Sequence, residues 1–337
     1  MFMDFSKISI LIVEDISVMR QLLADIIKTL GVGTIYTAAN GKEGYDKYTS
    51  RHPDIIITDW HMPIMDGLQF IEKVRKDPKS PHRNVPIIMI SGLNAPTRVT
   101  KARDLGVTEY LTKPFTVQDI SKRLSHIVRK PRDFILTPNF IGPDRRRRES
   151  DDFKGKIKRK KETDKKIKAE KHLQKKVGIS HQIDPWLITQ SERVLEEIKI
   201  NFIPIAQEFL KDFKKAIEAA EKSLPPSKKI KEDIIFSIMQ LKANARVFKY
   251  GLIGELSSTT LNFLEGSTVI DDLIIEILNA QHATISHLVN TKASGDGGEA
   301  GKALNDELTQ AYKRYNKAKA LRQQKALLAK IDKTKKQ

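Results

Sequence analysis

The sequence predicts an α/β domain built on a doubly wound parallel sheet, followed by an all-α helical bundle. From Ile8 to about Lys130, short apolar runs bounded by turn residues alternate with amphipathic stretches of helical period. Beyond Asp184 the period is helical throughout, with no strand pattern, and between the two regions periodicity is lost. Five strands are expected: Ile8 to Val13, Thr34 to Ala38, Asp54 to Thr58, Val85 to Ile90, and a short one near Glu109 to Leu111. Helices are expected between and after them, near Ser17 to Leu30 with Ser17 as its cap, Gly41 to Ser50, Gly67 to Lys76, Ala95 to Leu105 and Thr116 to Arg129. Pro131 to Lys176 reads as an exposed connector that begins with Pro138-Asn-Phe-Ile-Gly142-Pro-Asp144 and continues as Arg145 to Arg148 and a lysine-rich run, with a fluctuating helix in its second half. An Asp184 cap with Pro185 at the first helical position opens a long helix to about Leu224, kinked at Pro204 and closed by Pro225-Pro226. Further helices follow from Lys228 to about Tyr250, Leu252 to about Leu264 and Val269 to about Val289. Ser294 to Gly298 breaks the chain, and Ala303 to Ile331 reads as an extended basic helix without a continuous apolar face.

Composition sets the limits. The 337 residues carry 30% charged and 39% hydrophobic side chains and no cysteine, which suits two domains with cores and excludes collagen-like, disulfide-rich and mostly disordered classes. Without cysteine there is no thiolate metal site and no cysteine nucleophile. Met1 to Ser9 has no basic region, and the first apolar run stops at Glu14-Asp15, so neither a signal peptide nor a membrane span is expected, and the protein is expected in the cytoplasm. The net charge of +18 is uneven: +5 over residues 1–130, −1 over 131–144, +10 over 145–176, −4 over 177–300 and +8 over 301–337. Charge-driven binding therefore belongs to the connector and the tail.

Open parallel sheets place their sites beyond the carboxyl ends of the strands. There Glu14-Asp15 follows the first strand, Asp59 the third, Ser91 the fourth and Lys113 the fifth. Three carboxylates converging on one crevice repel one another unless a divalent cation neutralises them, and hard oxygen ligands suit Mg²⁺. Such a cation holds phosphoryl oxygens while a free carboxylate attacks phosphorus, leaving Lys113 and the Ser91 hydroxyl for the remaining oxygens. Alone, any one of these residues is more often a cap or a solvated loop residue, and Tyr110 alone reads as a core aromatic; together at the correct strand ends they point to a site.

The segments Ile10 to Asp15, Thr58-Asp59-Trp60-His61-Met62-Pro63-Ile-Met-Asp66-Gly67, Ser91-Gly92 and Tyr110-Leu-Thr-Lys113-Pro114-Phe115 resemble the receiver domain of two-component response regulators of the chemotaxis type, over about 125 residues. The resemblance implies a flavodoxin-like (βα)5 fold with Asp59 as phosphoacceptor. It implies a Mg²⁺ site in which Asp59 takes part, Asp15 binds directly, Glu14 through water and His61 by its backbone carbonyl. It further implies that Lys113 bridges to the phosphoryl group before a cis Pro114, and that Ser91 and Tyr110 form a switch pair acting on the face of the fourth helix, fifth strand and fifth helix. His61 occupies a position that often tunes phosphoryl lifetime, and Gly92 leaves room for the Tyr110 ring.

In the helical region, Ser237 to Leu256 resembles the central helix of histidine phosphotransfer (HPt) domains, and Leu261 to Glu265 and the helix bearing His282 resemble their C-terminal half. Aligning Leu241-Lys242-Ala243 with the family motif places Met239 where the phosphorylated histidine belongs, and a thioether cannot accept a phosphoryl group. His282 and His287 lie about 140° apart on an ideal helix and form no joint site; each reads as a satisfied or surface histidine. Gln240 and Asn244 share a helical face and offer a water-orienting pair for a phosphatase reaction.

The domain reading is then a receiver over 1–130, a basic flexible linker over 131–180, a degenerate HPt-like bundle over 181–293 and a basic helical tail over 294–337. The function expected is a response regulator, not a metabolic enzyme, that accepts a phosphoryl group on Asp59 from a sensor histidine kinase or HPt protein and switches protein contacts. The rival reading is a nucleic-acid-binding regulator using the basic linker and tail under receiver control, although no base-reading module is visible. Phosphatidyl head groups are a weaker partner class for want of an apolar anchor.

Overall fold

The strand β1 (Ser9–Val13) is buried along nearly its whole length, as are β3 (Ile55–Asp59) and β4 (Ile87–Ser91), because helices cover both faces of the sheet they form. In the computed structural model, which describes residues 2–92, 96–137, 140–144, 165–168, 171–178, 182–197, 202–267 and 269–334, the sheet is completed by β2 (Thr34–Ala38) and β5 (Glu109–Thr112). Its order is β2-β1-β3-β4-β5, all parallel, with α1 (Ser17–Thr29), α2 (Gly41–Arg51), α3 (Gly67–Lys76), α4 (Pro96–Asp104) and α5 (Val117–Arg129) following the strands in turn. This is the expected architecture. The register pairs Val13 with Thr58 and Asp59 with Ile90, so the strand ends that carry polar residues are level with one another. Ser17 does not cap α1: it is the first helical residue, Ile16 holds the cap position without a side-chain bond, and Arg20 instead donates to the Glu14 and Asp15 carbonyls.

The chain divides into two units, residues 1–199 and 200–337. The region expected as a flexible linker is, where described, part of the first unit. Its strands β6 (Phe134–Leu136), β7 (Ile141–Pro143) and β8 (Lys165–Ile167) form an antiparallel sheet, followed by α6 (His172–Val177) and α7 (Pro185–Glu197). Phe134, Ile135, Ile141, Leu173 and Val177 are buried. Arg75, 1% exposed, donates to the Gly106 carbonyl from Nε (3.1 Å) and Nη2 (2.9 Å) and lies 5.1 Å from the centroid of the Phe134 ring. Lys176 reaches Asp54 at 2.7 Å, and the Met3 amide donates to the Gln182 carbonyl. The apolar residues of this region are too scattered to show a period, yet Phe134 meets Arg75 and the Asp4 amide donates to the Val177 carbonyl. Arg145 to Arg148 and the run through residue 164 lie outside the described residues.

The second unit contains α8 (Phe202–Glu221), α9 (Lys228–Val247), α10 (Gly251–Gly266), α11 (Asp272–Asn290) and α12 (Gly298–Thr334). Of the single kinked helix expected from Asp184 to Leu224, the described parts are α7 in the first unit, which packs on α1 and α5, and α8 in the second; residues 198–201 lie outside the described residues. The bundle core joins Phe202, Leu210, Leu241, Ile253, Leu256 and Ile285. The first half of α12 belongs to the bundle, contrary to the expectation of a separate tail. Leu304 and Leu308 pack on the core, while Tyr312 and Tyr315 are buried, Tyr312 stacking on Phe263 at 4.0 Å.

Candidate functional site

The site forms at the carboxyl ends of β1, β3, β4 and β5. Glu14, Asp59, Ser91 and Lys113 are buried and Asp15 is half-buried. Helix α3 starts directly over β3: the Gly67 amide donates to the Trp60 carbonyl at 2.8 Å, and a Cβ at Gly67 would lie 2.0 Å from the Asp59 carbonyl oxygen. Asp66 caps that helix in a reciprocal box with Gln69, which sets where the chain leaves the site.

One carboxylate oxygen from each of Glu14, Asp15 and Asp59 falls within 4.8 Å of the others. Lys113 Nζ, on a residue joined to Pro114 by a cis bond, donates to Glu14 Oε2 at 2.9 Å and pairs with Asp59 Oδ2 at 3.4 Å. Burial pushes the Asp59 carboxyl up to about 7, with Lys113 opposing and Glu14 adding repulsion. Burial and the Asp59 charge raise Asp15 to about 6, and burial also raises Glu14. Burial alone would lower the Lys113 ammonium, but Asp59 and Glu14 outweigh it and raise its proton affinity. One cation thus faces three carboxylates.

These residues fit a divalent cation. Glu14 is engaged by Lys113, whereas Asp15 Oδ1 is buried and accepts no hydrogen bond. A buried carboxylate oxygen without a donor is costly unless a ligand meets it.

Ser91 and Tyr110 share a side-chain hydrogen bond, and burial raises the Tyr110 hydroxyl. The Lys113 amide donates to the Ser91 carbonyl at 2.8 Å, which ties the two strand ends together. The His61 ring lies 6.0 Å from Trp60, and burial, then Arg98 and Lys113, lower it to about 4, leaving it neutral at pH 7. Every receiver residue singled out from sequence lies at these strand ends or on the loops that follow them. Sequence reasoning missed Arg20, which holds two carbonyls of the β1–α1 turn, and Arg98, whose guanidinium lies 5.8 Å from the Trp60 ring centroid. Either arginine reads in sequence as an ordinary solvated helix residue.

The second unit keeps no such cluster among its described residues. Met239 is 4% exposed, so the position aligned with a phosphorylated histidine lies in the interior. Gln240 and Asn244, expected on an exposed face, are also buried, and Asn244 Nδ2 donates to the Gln240 carbonyl at 2.8 Å and to Gln240 Oε1 at 3.2 Å. Since α9 is packed on more than one side, these amides face each other and not solvent, which removes the water-orienting reading. His282 Nε2 is 3.1 Å from the Leu210 carbonyl and His287 is exposed, as satisfied and surface histidines would be.

Comparison with known proteins agrees with the geometry. Residues 10–125 match the family model for the response regulator receiver domain. The chain is 34% identical over 120 residues to a chemotaxis protein CheY homolog of Campylobacter jejuni, covering 35% of this chain and 91% of that protein. It is 35% identical over 120 residues to chemotaxis protein CheY1 of Helicobacter pylori, covering 35% and 95%. Among solved structures it resembles the chemotaxis response regulator CheY4 of Vibrio cholerae, with 29% identity, a TM-score of 0.33, and coverage of 36% of this chain and 98% of that one. Through its N-terminal domain the chain belongs to the response regulator receiver family. No helix among the described residues is long and apolar enough to cross a membrane.

Proposed function

We propose that this receiver accepts a phosphoryl group on Asp59 from a phosphohistidine on a sensor kinase or phosphotransfer partner, in a Mg²⁺-dependent reaction. The observation that carries the reading is the convergence of the Glu14, Asp15 and Asp59 carboxylates within 4.8 Å, with Lys113 Nζ against two of them. Asp15, Asp59 and the His61 carbonyl are the direct ligands in this reading, and Glu14 acts through water. When bound, the ion supplies positive charge to the carboxylates and to the phosphoryl oxygens. An Asp59 carboxylate oxygen attacks phosphorus, the P–N bond to the donor imidazole breaks, and the electron pair leaves on that nitrogen. Lys113 and the Ser91 hydroxyl take phosphoryl oxygens, and loss of the Ser91–Tyr110 bond frees the ring to change the face of α4, β5 and α5. Chemistry is limited to self-catalysed acceptance and hydrolysis. The bundle is read as an HPt-like docking or output module without relay chemistry, because its aligned position is a buried methionine.

The test is intact mass of the full chain after incubation with acetyl phosphate and Mg²⁺. A phosphate adduct on the wild type and none on Asp59→Asn is the expected result; an equal adduct on both would overturn the assignment.

A further inference from the structure

The second half of α12 has a charge pattern that the receiver does not explain. Between Glu307 and Asp332 the sequence carries seven basic residues and no carboxylate, and the backbone is helical from Gly298 through Thr334. Tyr315 is the last buried side chain described along this helix, which continues for roughly 28 Å beyond it. Lys313, Arg314 and Lys317 fall within a sector of about 100° on an ideal helix. That sector lies opposite the side on which Leu308, Tyr312 and Tyr315 meet the bundle, and all three cations are exposed. Among the described residues none of them pairs with a carboxylate, and Lys313 and Lys317 stand one turn apart, where like charges repel.

A solvated helix end accounts for only part of this. Cations stabilise the negative end of a helix dipole, but that effect falls off within the last turn, and Lys313 to Lys317 lie more than three turns from Thr334. We propose that α12 is a docking surface for a nucleic-acid duplex, held by its phosphate backbone without base readout. A major groove about 12 Å wide admits one α-helix and lines it with phosphates on both sides. The uninterrupted positive run matches that charge. An anionic bilayer fits less well, because the seven cations are spread over about 260° of an ideal helix and a flat surface meets only one side of it. The inference is independent of chemistry at Asp59.

Fluorescence anisotropy of a labelled duplex of about 30 base pairs, titrated with the full chain at several salt concentrations, tests it. Neutralising three phosphates predicts binding at least roughly 40-fold weaker at about 200 mM than at about 50 mM salt. The triple variant Lys313→Gln, Arg314→Gln, Lys317→Gln should lower the log–log salt slope by about 2.7. Glutamine keeps helix propensity, and the charge-retaining Lys313→Arg, Lys317→Arg variant should bind as the wild type does. An unchanged slope in the triple variant, or binding lost instead on changing Arg145 to Arg148 to Gln, would overturn the assignment. So would failure to bind duplex with retention on phosphatidylserine vesicles, which would make the partner a membrane.

Discussion

At Asp59, burial favours the protonated acid while the Lys113 ammonium, 3.4 Å away, favours the carboxylate, the form that the proposed reaction needs. Lys113→Met removes the charge that opposes that burial and, in the proposed reaction, a donor to the phosphoryl oxygens. Phosphorylation by acetyl phosphate should then slow about a hundredfold. Stopped-flow emission of Trp60, buried next to the acceptor, reads the rate once the exposed Trp186 has been changed to Phe. A histidine placed at the aligned position of the proposed HPt-like bundle should bring no relay chemistry. Met239→His places a polar ring at a 4% exposed position, so it should cost about 2 kcal/mol in urea unfolding and take no phosphate from a phosphorylated receiver. A phosphohistidine formed at residue 239 would contradict the interior placement. Asp15, Asp59, Ser91 and Lys113 were legible because each ends a recognisable strand and the topology of a parallel sheet gathers those ends. Burial of Gln240 and Asn244 was not legible, because amide residues one turn apart look the same on an exposed face and inside a bundle.

Among the elements, the five strands and five helices of the receiver were readable to within one or two residues, since short apolar runs bounded by turn residues alternate cleanly with stretches of period 3.6. The segment after Arg129 was not, because its stabilising contacts are with other parts of the fold. Asp54 shows how such a contact works. It accepts from the Ser9 amide at 2.9 Å and from Lys176 Nζ at 2.7 Å, with His172 Nε2 at 3.6 Å, and so fastens α6 to the start of β3. Burial by itself would raise its pKa, but the hydrogen bonds from His172, Lys176 and Ser9 hold it well below the usual carboxylate range. A depressed pKa in the folded state stabilises the fold above the unfolded value near 3.8 and is lost as pH falls through the folded value. Asp54→Ala should therefore cost about 2 kcal/mol at pH 7, with the difference from wild type shrinking below pH 3.8 in paired urea titrations. A fragment ending at residue 130 should be less stable than one ending at 199 by about 3 kcal/mol or more, because it leaves the partners of Phe134, Ile141 and Leu173 uncovered. Equal unfolding midpoints for the two fragments would mean that the extension adds nothing to the fold.

For the whole molecule, the two units each own a core, so fragments 1–199 and 200–337 are expected to fold separately, the first with phosphate uptake at Asp59 and the second with a helical circular dichroism spectrum. A second fragment without cooperative thermal unfolding would show instead that the bundle depends on the first unit. The sequence by itself determined the α/β class, the strand ends that carry the acidic cluster, the helical character of the second region and the uneven charge. Those properties follow from local period and from a topological rule that needs no knowledge of distant contacts. Only the tertiary structure decided that the extension belongs to the receiver, that α12 begins inside the bundle, and that Met239 is interior. Each of these depends on which surface a residue meets after folding, and a helical or scattered apolar pattern is compatible with more than one such surface.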